Sequence, residues 1–380
     1  MIHLGNWRET PHGRWAFHHV RELIPTANIA ASRQTNSLEA KTRDFSKSRI
    51  QGFGGQDFSL TEMLSESETD AFLVLHDGKI AFEWYANHYD CSEPHIVFSI
   101  SKSITGLLTG ILVDRDIINP TLSVAHYLPE TANCGYGECT IQHILDMTAG
   151  IEFDESYLDT TGQYAKYRVA TGWNPSESEF PAIGLHEFLL SLGRNGIPHG
   201  HTFQYLSPNS DLLGWVLERV TNQPYAALLS DHLWQPTGAE ADAYITVDRH
   251  GAARSAGGIC ITLRDLGRVG ELMRLDGRSN GRQVVPKFWI YDTLHNGDPV
   301  AWQRGNFSHL LPNGRYRNKW YQTGNEHNAF CAIGIHGQWV YVDPIAAVTI
   351  VKLSSQVLPI DDELDSSTLS AFHRIASEFV

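Results

Sequence analysis

Asp77-Gly78 stands between two apolar runs, 71–75 and 79–85, and this pair limits the fold more narrowly than any other feature of the chain. An Asp-Gly connection of two residues suits a tight hairpin turn, which needs positive φ at both central positions. A second hairpin is predicted far downstream: residues 338–342 and 347–353 are apolar runs separated by a turn that begins Asp343-Pro344. Between the two hairpins the apolar spacing is helical. Ile104, Leu107, Leu108, Ile111 and Leu112 share one helix face, as do Leu212, Leu213, Val216, Leu217 and Val220. Residues 185–192, 225–234 and 366–379 are further helix candidates. Strands early, helices in the middle and strands late predict an α/β (α+β) fold, with an antiparallel sheet and a mostly helical insertion. The first 60 residues are mixed and polar. They carry a helical pattern over 15–24 and a loop at 52–55, and read as an arm that wraps over a domain.

Composition narrows the function. The chain has 43 acidic against 29 basic residues, a net charge of −14, which argues against a nucleic-acid or anionic-membrane partner. With 42% apolar residues there is ample material for a large core. The five cysteines are odd in number and form no Cys-x-x-Cys pair, so reduced thiols in a cytoplasmic protein are expected. No run is long and apolar enough to span a membrane, and the N-terminal residues do not read as a secretion signal.

Three segments can carry chemistry. In Ser99-Ile100-Ser101-Lys102, the serine and lysine lie one helical turn apart at the start of the Ile104–Leu112 pattern. A serine hydroxyl needs a base, and a lysine desolvated on an apolar helix face can supply one. The helix N-terminus offers N–H groups to a developing oxyanion. The spacing alone fits an N-cap serine beside a surface lysine equally well. In the second segment, 204–214, Tyr205 precedes a Pro-Asn-Ser stretch expected to break regular structure until a helix opens near Asp211. Its phenol is a candidate proton relay if a nearby cation lowers its pKa. In the third, 332–338, two glycines near a strand imply close backbone approach, where an N–H can complete an oxyanion hole.

Taken together, these motifs resemble the serine β-lactamase-like hydrolases, in the branch of class C β-lactamases, family VIII esterases and nylon-oligomer (6-aminohexanoate-dimer) hydrolases. Flanks at 140–150, 233–238, 256–265 and 341–344 support the resemblance, which runs from about residue 66 to the C-terminus. It implies a β-lactamase/transpeptidase-like fold with an arm over 1–60, an α/β domain over 61–92 and 241–380, and a helical domain over 93–240. It makes Ser99 the acylated nucleophile, Lys102 its base and Tyr205 the proton shuttle to the leaving group. Ile335 supplies the second oxyanion N–H beside that of Ser99. Ser207 stands where class C enzymes have Asn, and Gly334 where they have the glycine of Lys-Thr-Gly. Tyr157 and Trp173 are expected to cover the substrate. His336, next to the proposed oxyanion strand, is a candidate substrate contact, with a structural hydrogen bond as the alternative.

The chain departs from the family at one telling place. Lys-Thr-Gly is absent, and Ala332 and Ile333 occupy its first two positions, so efficient β-lactam hydrolysis is not expected. Lys166 and Arg168, near Tyr157, argue against a free ammonium group at that spot. His199-Gly-His201 and His18-His19 lack a third metal ligand. Gly54-Gly55 and Gly257-Gly258 are too short for a phosphate loop, so neither metal nor cofactor is expected. Acyl transfer from a small-molecule amide or ester to water is the expected reaction. An amine-accepting acyltransferase and an inactive penicillin-binding-like module are the alternatives, and a homodimer is compatible with the chain.

Overall fold

Asp77 and Gly78 adopt φ of +50° and +74°, the turn their sequence calls for, and join the strands Thr69–His76 and Lys79–Tyr85. The computed structural model describes residues 1–35, 37–45, 48–51, 57–176 and 183–380; the loop expected at 52–55 lies outside them. The second hairpin also forms, from Gln338–Asp343 and Val348–Ser354, and its outer strand pairs with Thr69–His76. Among the described residues this gives a seven-stranded antiparallel sheet. Its order is Arg315–Arg317, Trp320–Gln322, Phe330–Gly334, Gln338–Asp343, Val348–Ser354, Thr69–His76 and Lys79–Tyr85.

The sheet is covered on both faces, which is why residues 71–75 are apolar without alternation. Leu73 and Leu75 point into one core with Leu266, Val269 and Met273 of the helix Leu263–Arg274. Phe72 and Val74 point into the other with Phe372 and Ile375 of the C-terminal helix Asp362–Ser377.

The helix Ile100–Asp114 is more deeply buried than its one apolar face predicts, because every residue from Ile100 to Leu112 is inside. Two glycines make this packing possible. A Cβ on Gly106 would sit 2.3 Å from the Asn318 carbonyl oxygen, and one on Gly110 would sit 2.3 Å from the Trp289 ring. The helix Ser207–Thr221 opens four residues earlier than expected. Pro208 falls in its first turn, where a missing N–H costs nothing.

A second sheet is not foreshadowed by the apolar patterning. It runs Thr26–Ile29, Ala243–Thr246, Ile259–Ile261 and His95–Ile96, all antiparallel. The arm is therefore built into the fold. Its Trp7, Phe17, Val20 and Ile24 are buried with Phe98, Trp173 and Tyr244 in a third apolar cluster. The His95–Ile96 strand of this sheet leads directly into Ser99.

Candidate active site

Ser99 caps the buried helix at its N-terminus and is 8% exposed. The residue before it, Phe98, has φ of +42°, a strained conformation for an aromatic residue and of the kind that gathers at functional sites. Lys102 lies one turn on and is 1% exposed. Its Nζ is 2.7 Å from Ser99 Oγ and 2.7 Å from the Ala256 carbonyl oxygen. No carboxylate pairs with it among the described residues, so burial dominates. Desolvation takes the amine down to about 7, outweighing the opposing fields of Glu155 and Asp211. At neutral pH a large share of Lys102 is a free amine in direct contact with the serine.

The Ala256 carbonyl is itself held in place. Ala256 N–H donates to Asp211 Oδ1 at 2.7 Å, and the other Asp211 oxygen accepts from Arg254 and from the Tyr167 hydroxyl. This buried network fixes the acceptor that aims Lys102. The sequence marks Asp211 only as the start of a helix.

Tyr205 sits just before the helix Ser207–Thr221, with its ring 5.0 Å from Lys102 Nζ. Tyr205, Ser99 and Tyr321 line the same cavity. The lowered pKa on which the sequence made a relay conditional is not found. Burial, with the Glu155 charge adding to it, holds the phenol well above its ordinary value, so it is a neutral donor. Ser207 is turned toward Glu155, whose two carboxylate oxygens accept from the Ser207 N–H and hydroxyl; the Tyr157 hydroxyl donates to the same carboxylate at 3.0 Å. Glu155 thus ties two expected substrate contacts together, a role that its place beside Asp154 in the sequence does not reveal.

Gly334 ends the strand Phe330–Gly334 against the chain leading to Ser99, and a Cβ there would lie 2.6 Å from the Val97 carbonyl oxygen. Only glycine lets the strand approach so closely. Ile335 follows and lines the same cavity as Ser99, a space of about 250 Å³ also walled by Tyr157, Tyr205, Phe307, Tyr321 and Glu155. A second cavity of about 360 Å³ shares Tyr157, Ile335 and Pro359 with the first, and is lined by Trp173 and His336. Trp173 is 2% exposed and donates its Nε1–H to Thr246 Oγ1 at 3.0 Å. His336 is buried, its Nδ1 is 2.8 Å from the Gln356 carbonyl oxygen, and desolvation takes it down to about 4, so it is neutral. These two residues face the second cavity and not the one that holds Ser99.

Of the histidines weighed as metal ligands, His199 accepts from the Gly150 N–H through Nδ1. His18 and His19 do meet a third potential ligand, contrary to the sequence reading: the fold brings Glu93 to 2.6 Å from His18 and 3.6 Å from His19, and the other His18 nitrogen is 3.0 Å from the Arg14 carbonyl oxygen.

Comparison with known proteins agrees with this geometry. The family model described as Beta-lactamase matches residues 61–373. The 6-aminohexanoate-dimer hydrolase of Paenarthrobacter ureafaciens is 36% identical over 93% of this chain and 88% of its own. A structure named "Putative 6-aminohexanoate-dimer hydrolase from Bacillus anthracis" superposes with a TM-score of 0.91 at 26% identity, covering 99% of this chain and 97% of its own. EstCE1, a hydrolase with promiscuous acyltransferase activity, shares the fold at a TM-score of 0.63 and 15% identity, over 82% and 96% of the two chains. With a serine-and-amine pair buried at a helix start and a family match over most of its length, the chain belongs to the Beta-lactamase family.

Proposed function

We propose that this protein is a serine hydrolase that opens an amide or ester bond of a small molecule through an acyl-enzyme on Ser99. One observation carries the reading: a desolvated amine, Lys102, lies 2.7 Å from the Ser99 hydroxyl with no carboxylate paired to it among the described residues. The Lys102 amine takes the Ser99 proton as Oγ attacks the carbonyl carbon. The N–H groups of Ser99 and Ile335 receive the oxyanion. Tyr205 gives its hydroxyl proton to the departing amine or alcohol and regains one from the Lys102 ammonium. Water then attacks the acyl group, passes its proton back through the same pair and frees Ser99. Tyr157 closes over the substrate, with Ser207 and Glu155 fixing its position.

We place the site in the cleft between a helical domain over 93–240 and the α/β domain formed by 61–92 and 241–380. We also place the protein in the cytoplasm. The five cysteines are free thiols, and no helix among the described residues is long and apolar enough to cross a membrane. The net charge of −14 favours a small-molecule substrate over nucleic acid.

Intact-mass analysis after a fluorophosphonate probe tests the nucleophile. One adduct is expected on the wild type and none on Ser99→Ala, which should retain the wild-type melting temperature. Equal turnover by the two proteins refutes the assignment. Product analysis in the presence of a primary amine separates hydrolysis from aminolysis.

A further inference from the structure

The two cavities that meet at Tyr157, Ile335 and Pro359 are lined by charges of opposite sign. The first, which holds Ser99 and Tyr205, carries the carboxyl groups of Glu155, Asp362 and Asp365, with His309 beside Asp362 at 3.2 Å. The second carries the guanidinium groups of Arg8 and Arg168 and one carboxylate, that of Glu9.

Both arginines are held by neutral acceptors. Arg8 donates to the Trp173 carbonyl at 3.3 Å and to Asn174 Oδ1 at 2.6 Å, and lies 4.9 Å from the Trp7 ring centre. Arg168 donates to the carbonyls of Tyr157 and Asp159 and lies 5.2 Å from the centre of the Tyr164 ring. Neither forms an ion pair among the described residues, whereas Arg254 close by is paired with Asp211. Desolvation, with the neighbouring Arg168 charge adding to it, takes Arg8 down to about 9. Desolvation also lowers Arg168. Two cations are thus kept in a half-buried wall without an ion pair among the described residues, although the charges of Glu9 and Asp159 act on Arg8 and Arg168 in turn and offset part of the cost. An anion entering the cavity relieves both the burial and the mutual repulsion.

The position of Tyr205 gives the groove a direction. A phenol that protonates the leaving group must face it, so the first cavity takes the leaving group and the second takes the acyl chain. We propose that Arg8 and Arg168 form a subsite for a carboxylate at the far end of the acyl group, so that the substrates are half-amides or half-esters of linear dicarboxylic acids. This rests on the hydrolase reading above and adds the substrate class. Leu158, Val357 and Pro359 give the intervening methylenes an apolar wall. A guanidinium presents paired donors that match the two oxygens of a carboxylate, and a terminal ammonium meets two like charges instead. The chemistry at the serine is unchanged: the bond formed is Ser99 Oγ to the carbonyl carbon, and the bond broken is that carbon to the leaving nitrogen or oxygen.

The test compares three six-carbon p-nitroanilides, with adipoyl (terminal carboxylate), hexanoyl (neutral) and 6-aminohexanoyl (terminal ammonium) acyl groups. The kcat/KM for adipoyl is expected to exceed that for hexanoyl about 10-fold and that for 6-aminohexanoyl about 100-fold. These ratios are the range of one charge-assisted hydrogen bond, first when a neutral end cannot form it and then when a like charge replaces it. Arg168→Gln and Arg8→Gln should each bring the adipoyl-to-hexanoyl ratio close to one, and Arg168→Lys should keep most of it. The ratio is the readout because loss of packing at the two carbonyls lowers both rates together. Equal use of adipoyl and hexanoyl, a preference for 6-aminohexanoyl, or a ratio untouched in both Gln variants overturns the subsite and leaves the hydrolase standing. So does probe labelling of Ser99 without turnover of any dicarboxylic half-anilide from four to eight carbons. Absence of both labelling and turnover overturns the subsite and the hydrolase reading together.

Discussion

Replacing Lys102 with methionine should stabilise the protein at pH 7, and the gain should fade as pH rises. Methionine has nearly the same length and shape but never carries charge. In the folded chain burial takes the Lys102 amine from 10.5 to about 7. The unfolded chain therefore binds this proton more strongly, and the penalty on the fold is greatest below the folded value and gone above the unfolded one. At about 1.4 kcal/mol for each tenfold change in proton affinity, the penalty is about 4 kcal/mol at pH 7 and about 2 kcal/mol at pH 9. Methionine removes it but leaves the Ala256 carbonyl without its donor, which costs about 1–3 kcal/mol. A net gain of about 1–3 kcal/mol at pH 7 is expected, shrinking by about 2 kcal/mol at pH 9. Urea denaturation of both proteins at the two pH values reads this as a difference of differences, in which titrations elsewhere in the chain cancel. Parallel pH profiles for the two proteins would refute the reasoning, because Lys102 would then titrate alike in the folded and unfolded chain.

Two further outcomes follow from the site. Tyr205→Phe should lower kcat/KM for an anilide by about 100-fold or more but that for a p-nitrophenyl ester far less, since only the poor leaving group needs the phenol's proton; equal losses on both would remove Tyr205 as the proton donor. Asp211→Asn leaves Arg254 buried without its counter-charge and loosens the Ala256 carbonyl. It should cost about 3–5 kcal/mol in urea denaturation and lower kcat, and a neutral effect on both would show that the network does not support Lys102.

What can be read from the sequence is local. Asp77-Gly78 sets its own turn, and Ser99 and Lys102 are joined by a single helical turn, so three residues of spacing suffice to place one against the other. The short strands Thr26–Ile29, His95–Ile96 and Ile259–Ile261 are stabilised by pairing across the chain and carry little periodicity of their own. Pro208 gives the opposite impression from its effect, since a first-turn proline reads as a breaker and acts as a start. The charged supports are hidden for the same reason as the short strands. Arg8 reaches Trp173 and Asn174 across 165 residues or more, and Asp211 reaches Ala256 across 45, contacts that only the folded chain creates. Ala256 does stand in a flank that resembles the family, and Glu155 lies two residues before Tyr157. Neither place in the sequence discloses that the one aims the lysine or that the other anchors Ser207. The phenol of Tyr205 is held above its ordinary value because burial and the Glu155 charge outweigh any cation nearby, and both come from the folded chain.

The rate at which a fluorophosphonate labels Ser99, followed by intact mass from pH 5 to pH 10, measures the protonation of its partner at the moment of attack. A rise governed by a single group titrating near 7, abolished in Lys102→Met, is the expected result. A rate that keeps climbing toward pH 10, as an ordinary lysine would dictate, or one that survives the loss of Lys102, would contradict it.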